Sequence, residues 1–180
     1  MPCARMMRAM AVSADIVAAP PADRVLVLTR LLDAPRALVF RVWTQPEHIV
    51  RWRGPRGFAL AHCDMEPRPG GKYRFCMRER GHKDHWLHGV YREISPPEKL
   101  SFTFVWERDD GSESPETLVT VTLDEEGAKI RLTLHQAVFE TVEIRDGHRG
   151  VWSYSLDMLA EYLAEAVFVP GDPLRFSVLA

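Results

Sequence analysis

Three histidines close together, His82, His85 and His88, are the first candidates for chemistry, because imidazole is a common ligand of zinc and other transition metals. On a strand, however, His85 and His88 point to opposite faces, and His82 falls in the polar stretch before it. No cysteine pair at ligand spacing joins them, so they read as surface or pocket-rim residues and no metal is expected. Acid–base work needs a carboxylate or imidazole enclosed where its pKa shifts. Asp64, Glu93 and Glu107 are available, but at strand edges and loops, where charged residues are ordinarily solvated. There is no nucleophile elbow, no Gly-rich phosphate loop and no HExxH. Cys76 alternates with Phe75 and Met77 and so faces away from them, with nothing to suggest an activated thiolate. The basic residues Arg51, Arg53 and Arg56, followed by Arg74, Arg78 and Arg80, suit an acidic partner or an anionic head group. The plainer expectation is a solvated face balanced by the acids between positions 107 and 116. No residue argues for catalysis, and no cofactor is implied.

Composition narrows the classes further. A chain of 180 residues, 46% hydrophobic and 27% charged, suits one soluble globular domain. A formal net charge of −2 gives no reason to expect nucleic acid. No apolar run approaches the roughly 20 residues needed to span a bilayer. Cys3, Cys63 and Cys76 are widely spaced and odd in number, which does not suit a disulfide framework and points to a reducing cytoplasm. Residues 1–22, ending at Pro20-Pro21, lack a signal-peptide core and read as a flexible extension; residues 23–167 form the domain and 168–180 a tail.

The elements that must position any site follow from periodicity. Residues 24–32 read as a strand. Pro35 opens a helix that places Leu38, Val39, Val42 and Trp43 on one face, and a second short helix runs from Pro46 toward Trp52. Strands are then predicted over 58–63, 72–78 and 85–94, with both faces of the last bulky. Leu100, Phe102, Phe104 and Trp106 line one face of the next. Val119, Val121 and Leu123 are answered across a turn by Ile130, Leu132 and Leu134, the clearest hairpin in the chain. A final amphipathic helix carries Trp152, Leu156, Leu159, Leu163 and Val167, with Gly147 and Gly150 marking either a close approach or a late start. The predicted class is α+β: a curved antiparallel sheet of about seven strands, in the order β-α-α-β6-α, around a long C-terminal helix.

This order resembles the START-like, helix-grip superfamily (SRPBCC), and within it the homologues of the heat-shock-protein-90 ATPase activator C-terminal domain. The resembling segments are Ala34-Pro-Arg-Ala-Leu-Val-Phe-Arg-Val-Trp43, Pro46-Glu-His-Ile-Val-Arg-Trp52 with Gly54-Pro55, Met65-Glu-Pro-Arg-Pro-Gly-Gly-Lys-Tyr-Arg-Phe75, Gly89-Val-Tyr-Arg-Glu-Ile-Ser-Pro-Pro-Glu-Lys-Leu100, Val119-Thr-Val-Thr-Leu123 and the stretch from Trp152 to Leu163. Two positions depart from it. Family members often carry a second Trp where this chain has Arg53, and many have Gly where it has Val151.

The resemblance implies a deep cavity between the long helix and the sheet. The residues assigned to its lining are Trp52, Tyr73, Phe75, Met77, Phe104, Trp106, Trp152 and Leu156, with the Tyr73 hydroxyl and the indole N–H of Trp106 or Trp152 as polar groups. The expected function is binding of a small hydrophobic or aromatic molecule for transport, sequestration or sensing. Superfamily relatives that are cyclases and hydrolases make an enzyme of small organics the second expectation. A chaperone-interacting module is the third, and homodimerisation through the sheet edge or the short helices is compatible with the pattern.

Overall fold

The computed structural model describes residues 20–54, 57–79, 83–169 and 172–178. The expected flexible extension lies outside the described residues up to position 19. A short 3-10 turn, Ala22–Arg24, leads into strand β1 (Leu26–Leu32). Helix α1 (Arg36–Thr44) and helix α2 (Pro46–Trp52) follow, joined by the single residue Gln45. Gln45 is extended (φ −114°, ψ 127°), the conformation favoured before a proline, and Pro46 then starts α2 where its missing N–H costs nothing.

Six strands come next: β2 (Phe58–Met65), β3 (Lys72–Glu79), β4 (Asp84–Ser95), β5 (Lys99–Trp106), β6 (Thr117–Glu126) and β7 (Lys129–Ala137). With β1 they form one antiparallel sheet in the order β1-β7-β6-β5-β4-β3-β2. The clearest predicted hairpin is in register, with Val121 opposite Leu134 and Leu123 opposite Leu132. Alternation is strict on β7, where Ile130, Leu132, Leu134 and also Gln136 are buried while Lys129, Arg131 and His135 are exposed. Strand β4, ambiguous by parity, turns Leu87, Gly89 and Tyr91 inward.

Helix α3 (Val142–Glu165) lies across the concave face and buries Trp152, Ser155, Leu156, Leu159, Tyr162 and Leu163. It starts ten residues before Trp152, with the Thr141 hydroxyl accepting the Ile144 N–H at 3.3 Å as an N-cap and Glu143 in the first turn. Both readings of Gly147 and Gly150 are therefore corrected. The glycines sit inside the helix, and a Cβ at either would meet nothing within 4 Å, so neither serves a close approach. At its other end α3 stops at Glu165, and Val167, expected on the helix, belongs to a short strand β8 (Ala166–Val169). The run Ala166-Val-Phe-Val169 is rich in β-formers, which accounts for the switch. Strand β8 pairs with β9 (Asp172–Val178), so the predicted tail is one arm of a two-stranded ribbon.

Candidate ligand site between the long helix and the sheet

The interior under α3 is organised around tryptophans. Trp43 from α1 lies 4.6 Å from Trp52 of α2 and 6.0 Å from Trp152 of α3, ring centre to ring centre. These contacts clamp the short helices to the long one, each ring burying on the order of 200 Å² of largely apolar surface. The Trp52 indole N–H donates to the Val42 carbonyl at 2.9 Å. Tyr73 and Phe75 of β3, 4.9 Å apart, form a second cluster with Tyr91 and Phe102. Phe104 and Trp106 of β5 make a third, with centres 5.2 Å apart. Met77 and Leu156 are buried in the same core. The eight residues assigned from sequence thus share one interior, divided into three groups.

The polar groups differ from those expected. The Tyr73 hydroxyl is committed to the Thr103 carbonyl at 2.7 Å. The Trp152 N–H donates to Gln136 Oε1 at 2.8 Å, and the Trp106 N–H to His148 Nε2 at 3.1 Å. Because indole N–H only donates, Nε2 of His148 is an acceptor and Nδ1 carries the proton, which it gives to Gln136 Oε1 at 3.3 Å. Gln136 Nε2 completes the chain by donating to Thr117 Oγ1 at 2.7 Å. Burial first, and the nearby Arg53 charge second, lower the His148 pKa to about 4.

This depression has a consequence for stability. The folded state holds His148 neutral, while the unfolded chain takes up a proton near pH 6.5, so stability is intact above that pH and falls as pH drops from 6.5 toward 4. The expected loss is up to about 3 kcal/mol. Urea unfolding at pH 7 and pH 4.5 should show it in the native protein and a smaller loss in His148→Gln. Equal losses in the two proteins would remove His148 as the cause.

Two openings reach this interior. At the N-terminal end of α3, a recess of about 190 Å³ is bordered by Phe104, Trp106, Phe139, Val138, Ile144 and His148. Deeper, a cavity of only about 10 Å³ lies between Trp43, Ile49, Arg53, Tyr73, Phe75, Tyr91 and Phe102. Arg53 corrects the sequence reading, which placed it on a solvated basic face. It is 6% exposed, with its guanidinium 3.7 Å from the centre of the Trp152 ring. Two others of the basic group are balanced on the outer face: Arg74 makes a two-pronged pair with Glu107 at 2.7 and 2.8 Å, and Arg78 one with Asp84 at 2.5 and 2.7 Å.

The other candidates disperse. His88 meets Glu113 at 2.9 Å, His85 sits against the Phe58 ring, and His82 lies outside the described residues. Among the described residues no three His, Cys, Asp or Glu side chains gather as a metal-holding group. Burial raises the thiol pKa of Cys76, and that of Cys63 to about 11, so both are thiols at neutral pH. Among the described residues no helix is long and apolar enough to cross a membrane.

A curved seven-stranded antiparallel sheet gripping a 24-residue helix is the helix-grip arrangement. The sequence profile of the Activator of Hsp90 ATPase homolog 1-like protein family matches residues 33–164. The chain belongs to this family. Solved structures agree on the fold. A protein from Chromobacterium violaceum is 24% identical with a TM-score of 0.69, covering 78% of this chain and 97% of its own. The AHSA1 protein of Silicibacter pomeroyi is 24% identical with a TM-score of 0.72, over 78% of this chain and 97% of its own. One from Arthrobacter aurescens is 20% identical with a TM-score of 0.69, over 84% and 90%. No curated protein matches the sequence.

Proposed function

We propose that this protein binds a small, mainly apolar or aromatic molecule between α3 and the sheet. The observation that carries this reading is the recess of about 190 Å³ beside Trp106, lined largely by aromatic and aliphatic side chains together with His148, Arg108 and Glu140. An engineered apolar cavity of roughly 150 Å³ takes up benzene, so a single-ring molecule is a reasonable occupant. Phe104 and Trp106, both assigned to the lining from sequence, border it.

Catalysis in the same space is the second reading, and His148 is its natural acid or base. Both ring nitrogens of His148 are engaged, however, by Trp106 and Gln136, and its pKa lies near 4. A histidine held in this way orients its neighbours rather than exchanging protons with a substrate.

Titration of the full chain with naphthalene and indole, followed by intrinsic tryptophan fluorescence, tests the binding reading. Saturable quenching is expected, and Ile144→Arg, at a surface position on the rim, should weaken it at least about tenfold by placing charge at the mouth. Unsaturable quenching, or affinity unchanged in the variant, would count against the recess. Faster ATP turnover by the chaperone on adding the chain would instead favour a chaperone-interacting module.

A further inference from the structure

The interior holds a positive charge that the protein does not balance. Arg53 ends α2, and the next N–H, that of Gly54, donates to Ser155 Oγ of α3 at 3.2 Å. Gly54 has φ +122°, a conformation that side-chain-bearing residues rarely adopt, and this turn directs the Arg53 side chain under α3 instead of outward. The guanidinium then lies over the Trp152 ring, which supplies π-electron attraction but no hydrogen-bond acceptor. Among the described residues it has neither an ion pair nor a hydrogen-bond acceptor. Burial lowers its pKa only to about 10, so it remains a cation at neutral pH. At 6% exposure its nitrogens keep a little contact with solvent, and a nearly buried cation without a counter-ion is a costly arrangement that an anion from outside can complete.

The walls of the small cavity beside Arg53 say what that partner is. Trp43 borders that cavity, and its indole N–H is buried without a hydrogen-bond partner among the described residues. The Tyr91 side chain borders the same space. An arginine fork, an indole N–H and a phenol offer donors, with no anionic acceptor opposing them. Such a set recognises an oxyanion and rejects a cation, and a planar guanidinium matches a carboxylate through two parallel N–H···O bonds.

We infer that the ligand of this protein carries a carboxylate, held by the Arg53 guanidinium with the Trp43 N–H and the Tyr91 hydroxyl beside it, on an apolar body that lies under α3. This rests on the proposed ligand-binding reading and adds the ligand's class. The cavity of about 10 Å³ has room for roughly one water, so a carboxylate oxygen takes a water-sized place and the body displaces neighbouring side chains. Phe104 is placed to be one of these, because it borders the outer recess and lies 6.4 Å from Trp152, on which Arg53 rests.

The test compares acids with their neutral amides on the full chain by tryptophan fluorescence: phenylacetate with phenylacetamide, and octanoate with octanamide. Each acid should bind at least about tenfold tighter than its amide, as a charge-assisted pair replaces a neutral one. Arg53→Gln should bring that ratio close to one. Should Arg53→Gln fail to fold, the ratio in the native protein decides, with Arg53→Lys expected to keep a reduced preference for the acid. Equal binding of acid and amide by the native protein overturns the carboxylate assignment and leaves the pocket standing. Competition by inorganic phosphate at the same concentration as phenylacetate also overturns it, in favour of a free-anion site. No saturable binding by any acid or amide removes both the pocket and its ligand class.

Discussion

Gly89→Ala is expected to lower stability by about 4 kcal/mol, an effect out of proportion to one methyl group. Gly89 faces the interior from β4, opposite Tyr73 of β3. A Cβ there would run into the carbonyl oxygen of Thr103 on β5 and come within 2.7 Å of Tyr73 Cε1. The Tyr73 ring occupies that space because its hydroxyl crosses to the same Thr103 carbonyl. Neither neighbour can yield cheaply: Thr103 is backbone in a central strand, and its side chain also accepts the Val90 N–H at 3.0 Å. Alanine must therefore separate two strands or break a buried hydrogen bond. Urea unfolding should show a lower midpoint with an unchanged slope. The same substitution at Gly147, which has open space around it, should instead stabilise the protein by about 1 kcal/mol, because alanine is the better helix former. A loss below about 1 kcal/mol for Gly89→Ala would show that β4 and β5 are not pinned at this point.

Gln136→Leu is expected to cost a similar amount, about 4 kcal/mol, although leucine is more hydrophobic and of comparable size. Gln136 is wholly buried and serves three partners at once: the Trp152 N–H, the His148 Nδ1–H and the Thr117 hydroxyl. Leucine leaves all three in the interior without water. It also releases the His148 ring from the tautomer that Trp106 and Gln136 together impose. Thermal unfolding and tryptophan emission, measured together, check both parts, since Trp106 and Trp152 report directly on the network. Unchanged stability would mean that the three groups find other partners.

Much of this architecture was legible because it is written in short-range periods. The 3.6-residue repeat of α1 and the two-residue alternation of β6 and β7 each declare a buried face without reference to the rest of the chain. The same alternation, continued by one step past Leu134, already places Gln136 in the core. His148 lies one helical turn before Trp152, on the face that α3 buries, but two glycines obscured the start of that helix. Thr141 and Glu143 were the competing local signal, and the long stretch of contact with the sheet allows the glycines to stay helical.

The candidate site divides in the same way. That large aromatic side chains of the strands and of α3 point inward could be read from sequence, since strand parity and helix period set it. Which of those side chains would fill the space and which would border an opening was decided only by tertiary packing. The donors proposed from sequence, on Tyr73, Trp106 and Trp152, acquire protein partners that lie 30, 42 and 16 residues away in the chain. The donors left without partners, on Arg53 and Trp43, could not be identified without those pairings. The sequence by itself determined the helix-grip fold and the apolar character of its interior, because both follow from patterns a few residues long. Only the tertiary structure decided that Arg53 is inside: an arginine after a short helix is ordinarily solvated, and its burial comes from the turn at Gly54 meeting Ser155 on a helix a hundred residues later.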